Sequence, residues 1–246
     1  MCLADKATRI FSIIYFTPPF MFKTKKVRAN NLARFVPGAY YHVYNRTNNR
    51  ELLFRDDADR RFFLKQYIQF VVPYVDTYAY CLLPDHFHLA ICIKPAPVLL
   101  SLAEQTPEQF RTVAQQKILL QIEEPPFHPL VERQFTRMFT AYATHINLRY
   151  RRKGNLFYRP FKRIAADNDD YLTWLLYYIH QNPRKHHIMH DFTQYVWSSY
   201  PALISAKPTN LARASVINMF GSREHFIAFH TGEEPCRPQD WNLEIE

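Results

Sequence analysis

The sequence predicts an α+β fold built on a small, mostly antiparallel sheet. Three observations carry this. Four short runs are rich in Tyr, Val, Ile and Phe. Helical patterns interrupt them in the order strand, helix, strand, strand, helix, helix, strand, helix. The middle two runs are joined by Leu83-Pro84-Asp85, a connection tight enough only for an antiparallel hairpin. Ferredoxin-like (RRM-like) architectures have this order of elements, so the expectation is an antiparallel sheet with helices on one face, plus accessory helices.

Residues 1–35 lack a clean hydrophobic period and read as an N-terminal tail or arm. The run Ile10 to Phe22 follows Lys6 and Arg9 as in a signal peptide, but Thr17, Pro18 and Pro19 break it and no small-residue cleavage site follows; a start near Met21 is an equally plain reading. Tyr40 to Thr47 is a strand by its Tyr and Val content, and Thr47-Asn48-Asn49-Arg50 turns the chain. Asp56 or Asp57 caps a helix whose apolar positions are Phe62, Phe63, Tyr67, Phe70 and Val71. Asp76 to Leu83 and His86 to Lys94 form the hairpin, which Pro95 and Pro97 close. Residues 96–134 are read as an accessory helical insert, with one polar helix from Pro107 to Gln121 and a proline-rich break from Glu124 to Pro129. A second helix carries Phe135, Met138, Phe139, Tyr142, Ile146 and Leu148. Phe161 to Ala166 is the last strand. A helix capped within Asn168 to Asp170 then runs from Tyr171 to about Gln181, where Pro183 is expected to stop it. Short outer helices follow, with 207–246 as a C-terminal extension.

Of 246 residues, 31 are Lys or Arg and 22 are Asp or Glu, a formal charge of +9, and 48% are apolar, ample for a core and incompatible with wholesale disorder. Cys2, Cys81, Cys92 and Cys236 form no C-x-x-C pair. That excludes a thiolate zinc cage and a disulfide-dense secreted scaffold, and makes the reducing cytoplasm the expected compartment. No run approaches the roughly 20 apolar residues of a membrane-spanning helix, so no membrane partner is expected. Positive charge is bunched at Lys23, Lys25, Lys26 and Arg28, at Arg149, Arg151, Arg152 and Lys153, at Arg159, Lys162 and Arg163, and at Arg184 with Lys185. Tyr150, Phe157, Tyr158 and Phe161 are interleaved with it. Cations suit phosphates and flat rings suit unpaired bases, so the mixture fits single-stranded nucleic acid; ordinary solubility would use the same net charge.

Two motifs carry possible chemistry. In Pro84-Asp85-His86-Phe87-His88-Leu89, residues two apart on a strand share a face with Cα atoms about 6.6 Å apart, so His86 and His88 can direct both imidazoles at one ion or simply occupy a polar face. In Tyr177-Tyr178-Ile179-His180-Gln181-Asn182-Pro183, helical spacing puts Tyr178 and Asn182 on one side; a Tyr-rich core face with an Asn-Pro stop is the alternative.

These residues resemble the HUH single-tyrosine transposases, and within them the REP-associated tyrosine transposases. The resemblance runs in order through Tyr41-His42-Val43, Arg46-Thr47-Asn48-Asn49-Arg50, Ala79 to His88, Leu156-Phe157-Tyr158-Arg159-Pro160-Phe161-Lys162, Tyr178 to Pro183, Trp197-Ser198-Ser199-Tyr200 and Phe220-Gly221-Ser222-Arg223-Glu224. It covers roughly residues 36–230, with 36–206 as the transposase domain. The resemblance implies a ferredoxin-like fold, with His86 and His88 as ligands of Mg2+ or Mn2+ and Asn182 as the third. It implies Tyr178 as the nucleophile that attacks a single-stranded DNA phosphate, leaving a 5′-phosphotyrosine link and a free 3′-hydroxyl. His180 stands at a variable motif position and receives no catalytic role. The implied partner is single-stranded or hairpin DNA, the implied location cytoplasmic and nucleoid-associated, and both monomers and homodimers occur among such proteins.

Three departures stand out. Thr47 replaces a frequent glycine, Pro160 intervenes between Arg159 and Phe161, and residues 96–134 exceed the minimal pattern. For DNA contacts, Arg46, Asn48, Asn49 and Arg50 form a polar loop suited to base edges or to plain solvation. Arg151, Arg152 and Lys153, with Arg149, are expected to track the backbone, and Arg159 and Lys162 to clamp the substrate phosphate. The rival functional reading is a non-catalytic module that binds single strands or hairpins. A zinc hydrolase built on His86 and His88 lacks a carboxylate partner, and no RNP-type segment of an RNA-recognition module is present.

Overall fold

In β1 (Tyr40–Arg46) the alternation YYHVYNR sends Tyr41 and Val43 to one side of the chain and His42, Tyr44 and Arg46 to the other. The computed structural model describes residues 32–48, 51–120 and 122–235, so Asn49, Arg50, Gln121, Cys2, Cys236 and the basic residues Lys23 to Arg28 lie outside the described residues. β1 pairs antiparallel with β3 (His86–Ile93) and with β4 (Lys162–Ala166), and β2 (Val75–Leu82) pairs antiparallel with β3, giving the order β2-β3-β1-β4. This is the mixed α/β architecture with a four-stranded antiparallel sheet that the order of elements predicts.

One face of the sheet carries Tyr41, Val43, Phe87, Leu89 and Ile91. These pack with Phe63 and Tyr67 of α1 (Asp57–Phe70) and with Phe135, Met138 and Tyr142 of α4 (Phe127–Arg149). The side chain of Asp56 caps α1 by accepting from the Asp59 amide. Arg149, at the end of α4, binds Asp56 and the fully buried Asp59 at 2.6 Å each, so this cation ties two helices together. The packed region reaches back into the expected tail: Phe35 is buried against Tyr41, Phe135 and Phe161.

The second face is covered as well, where helices were expected on one face of the sheet. Tyr44, Ala79, Cys81, Ala90 and Ile164 are all small or apolar, and α5 (Asp169–Lys185) buries Leu172, Leu175, Leu176 and Ile179 in the same cluster. A face with no charged residue at these positions must be kept from water, and the apolar stripe of α5 does this. Beyond α5, α6 (Tyr200–Ile204), α7 (Arg213–Met219) and α8 (Arg223–Thr231) add Tyr200, Val216 and Phe226 to this core. The intervening chain runs along the outer edge of β2, where Ser199 N donates to Tyr80 O, Leu82 N to Trp197 O and Ala212 N to Thr77 O. An edge that would otherwise template aggregation is thereby occupied.

Three expected elements differ. Helix α4 begins at Phe127, inside the break expected over 124–129, and its Leu130 and Val131 join the main core, so the end of the expected insert 96–134 belongs to the core helix. The helix expected from about 107 to 121 is a 3-10 turn at Glu108–Phe110 followed by the shorter α3 (Val113–Leu119), and an unforeseen helix, α2 (Ala96–Glu104), precedes it. Pro97 lies in the first turn of α2, where a missing N–H costs nothing, and Thr112 with Gln115 forms a capping box that starts α3 afresh. Helix α5 does not stop before Pro183 but continues to Lys185 with Pro183 inside it. Pro183 has no N–H for Ile179 O, and the Asn182 amide supplies hydrogens locally, donating to Tyr178 O at 2.8 Å and to Ile179 O at 3.5 Å. The helix then closes on Pro183 O itself, through Ile188 N at 2.9 Å, with His187 at a φ of 55° in the left-handed position. Thr47, where the transposases it resembles often have glycine, needs no left-handed backbone: among the described residues only Arg151 and His187 have positive φ without being glycine. No helix among the described residues is long and apolar enough to cross a membrane.

Candidate functional site

The register of the sheet assembles the site. Tyr44 stands opposite His88, and Arg46 opposite His86, on the face that α5 covers; Lys162 of β4 stands opposite Tyr44 on the other side. His86, His88, Arg46 and Lys162 therefore share one face of one sheet, with Phe87 turned into the opposite core. The rings of His86 and His88 lie 5.1 Å apart, edge to face.

Each imidazole is oriented through its Nδ1. His86 Nδ1 lies 2.6 Å from Asp85 Oδ1, and this bond holds the Asp85 carboxyl below the usual carboxylate range. His88 Nδ1 lies 3.0 Å from His42 Nε2 in the fully buried interior. Burial pushes the His42 imidazole down to about 3 and His88 well below its ordinary value, so both rings are uncharged near neutrality. What remains on each metal-type histidine is Nε2, and that of His88 is buried without a hydrogen-bond partner among the described residues.

Helix α5 brings the other half. The Tyr178 ring meets the His88 ring edge-on at 5.5 Å and the His42 ring at 6.2 Å, and stacks on Trp174 at 5.4 Å. One turn further on, Asn182 is fully buried; its Nδ2 is taken up by Tyr178 O, and its Oδ1 has no hydrogen-bond partner among the described residues. Lys185 Nζ sits 5.2 Å from the centroid of the Tyr178 ring, and the His186 ring 4.9 Å from that of His86. A buried imine nitrogen and a buried amide oxygen, both lone-pair donors left unsatisfied, fit a hard or borderline divalent cation. No group of three or more His, Cys, Asp or Glu among the described residues is arranged to hold a metal, so such a site would rest on two imidazoles and the Asn182 carboxamide.

No protein-family model matches this chain, and no curated protein matches it. Among solved structures it is similar to a transposase–hairpin complex. That structure is a REP-associated tyrosine transposase bound to a REP hairpin, matched at 13% sequence identity and a TM-score of 0.49 over 75% of this chain and 92% of that one. Likeness at this level carries no argument about activity; the residues of the site must do so.

Of the residues singled out in the sequence, His86, His88, Tyr178, Arg46 and Lys162 lie on or against one face of the sheet, with Asn182 one turn beyond Tyr178. The Arg46 guanidinium rests 4.9 Å from the exposed Tyr158 ring, and Arg159 is exposed in the next position. Asn48 is committed otherwise: its Nδ2 donates to Asn155 O and Phe157 O, strapping the 155–158 segment to the end of β1. Arg152 is bound to Glu51 at 2.6 Å and to Asn147, whereas Arg151 and Lys153 are exposed at the end of α4. Asn49 and Arg50 lie outside the described residues. Sequence reasoning missed His42, Tyr44, Asp85, Trp174 and His186 as parts of the site. The even-numbered alternation of His42 and Tyr44 on β1 was the available signal; nothing local marks Trp174 or His186. His180 is fully buried, between His230 at 2.9 Å and Ser199 at 2.8 Å.

Proposed function

We propose that the protein is a divalent-metal-dependent endonuclease and strand transferase for single-stranded, hairpin-associated DNA, with Tyr178 as its nucleophile. One observation carries the reading: the Tyr178 ring abuts His88, and the buried lone pairs of His88 Nε2 and Asn182 Oδ1 have no hydrogen-bond partner among the described residues. His86, His88 and Asn182 would hold Mg2+ or Mn2+, which when bound supplies Lewis-acid polarisation of the scissile phosphate. Arg46, Lys162 and Lys185 bring positive charge to the same face and attract the DNA backbone. Tyr178 Oη forms a phosphoester as the P–O3′ bond breaks, its proton is released, and the leaving 3′ oxygen takes one up. The ester conserves the energy of the broken bond, so a second 3′-hydroxyl can reverse the step without ATP.

Binding without cleavage is the second reading, and one observation favours it. Tyr178 is only 7% exposed, with Trp174 stacked on its ring and the Lys185 ammonium above it, so most of the side chain is committed to packing. The deciding experiment incubates labelled hairpin DNA with the protein and Mg2+ or Mn2+, denatures, and looks for a covalent adduct. Tyr178→Phe should abolish the adduct and retain binding, and His86→Ala should abolish metal-dependent cleavage. Tight binding of several hairpins with no adduct from the wild type leaves the binding reading standing.

A further inference from the structure

We propose that His42 is a positioning residue that keeps the metal-facing nitrogen of His88 free of a proton by locking His88 in the Nδ1–H tautomer. The inference rests on reading His88 as a metal ligand, but its first consequence is a property of the metal-free protein.

The argument begins with the sheet. His42 pairs with Ala90 and Tyr44 with His88 across β1 and β3, which makes His42 the diagonal neighbour of His88 on the same face. The rings lie 5.2 Å apart at 20°, and Tyr44 stacks against His42 at 4.7 Å, holding the ring from the side. The contact is 3.0 Å between His42 Nε2 and His88 Nδ1, and both residues are fully buried.

Two uncharged imidazoles in this contact have two arrangements. In one, His88 Nδ1–H donates to His42 Nε2, and His88 Nε2 carries a lone pair. In the other, His42 Nε2–H donates to His88 Nδ1, and the remaining proton of His88 sits on Nε2. Each arrangement leaves one N–H outside this contact, on His42 Nδ1 in the first and on His88 Nε2 in the second, both buried ring nitrogens; what separates the two is that the second puts its proton on the atom that would face a cation. The first leaves the lone pair that a metal needs. His86 has the parallel arrangement, because the ionised Asp85 carboxylate at 2.6 Å can only accept, which places the His86 proton on Nδ1. Asp85 is half-exposed and can carry its charge; a carboxylate at position 42 would be wholly desolvated, and a neutral imidazole offers the same acceptor without that cost.

The test reads the tautomer and the metal separately. Long-range 1H–15N correlation on 15N-histidine-labelled, metal-free protein at pH 7 should find the His88 proton on Nδ1. His42→Gln, whose Oε1 can accept the same hydrogen, should preserve that tautomer and keep Mn2+ affinity near the wild-type value. His42→Phe removes the acceptor; His88 should shift to Nε2–H and Mn2+ binding should weaken about 10–100-fold. A wild-type His88 protonated on Nε2 overturns the proposal, as does a folded His42→Phe protein that binds Mn2+ within about twofold of wild type. If His42→Phe does not fold, the wild-type tautomer and the Gln variant decide. If Mn2+ binds wild type no better than His88→Ala, the metal reading fails by itself, and the tautomer still determines whether His42 orients His88.

Discussion

Acid should unlock the C-terminal helices from α5, and the size of the effect follows from one buried histidine. His230 on α8 is 1% exposed; its Nδ1 donates to Phe226 O at 2.8 Å and its Nε2 accepts from His180 Nδ1 at 2.9 Å, while His180 Nε2 accepts from the Ser199 hydroxyl. Burial pushes the His230 pKa down to about 4, against about 6.5 in an unfolded chain. Between those values the unfolded chain binds a proton that the native protein does not, so stability is complete above the unfolded value and falls as pH falls toward the folded one. From pH 7 to pH 5 this one group costs about 2 kcal/mol, rising to a limit of about 3 kcal/mol below pH 4. For a chain of this size, about 2 kcal/mol corresponds to a melting temperature lower by about 4–8 °C. His230→Gln keeps both bonds, with Nε2 donating to Phe226 O and Oε1 accepting from His180, but does not titrate. Urea unfolding of both proteins at pH 7 and pH 5 should give a wild-type pH dependence steeper by about 2 kcal/mol. Equal pH dependence in the two proteins would refute the claim that His230 is held neutral in the native core.

Phe63→Ala empties a fully buried site against Phe54, Phe87 and Tyr142, and chemical denaturation should register a loss of about 3–5 kcal/mol, with DNA binding per folded molecule unchanged because the opposite face of the sheet is intact. Arg151 closes α4 at a φ of 53°, with Arg152 N bonded to Asn147 O, so Arg151→Gly should relieve left-handed strain of about 1 kcal/mol and raise the melting temperature by about 2–4 °C. If Arg46 and Lys162 each neutralise a phosphate, Arg46→Ala and Lys162→Ala should each lower the slope of log binding constant against log salt by about 0.7 for a single-stranded ligand, measured by fluorescence titration.

The strands were legible because each carries a two-residue alternation that both cores respect: Tyr41 and Val43 against Phe87 and Leu89 on one side, Tyr44 against Ala90 and Ile164 on the other. The insert was not, because a polar stretch has no strong period, and its boundaries are set by Pro97 and the Thr112 cap rather than by apolar spacing. The end of α5 was misread because backbone rules for proline ignore side chains, and here the Asn182 amide reaches the carbonyls that the broken ladder would strand. Basic residues were the least legible class. Arg149 and Arg152 look like Arg151 and Lys153 in one charge run, and Arg163 like Arg159 and Lys162 in the next, yet these three are bound to Asp59, Glu51 and Glu132 respectively.

Sequence by itself determined the period of each strand, the two-residue spacing that puts His86 and His88 on one side, and the one-turn spacing of Tyr178 and Asn182, because these are properties of local backbone geometry. Tertiary structure alone decided that α5 lies over the histidine face and that His42 Nε2 meets His88 Nδ1. That contact joins residues 46 positions apart, and its existence depends on strand register and on burial, neither of which is written in neighbouring residues.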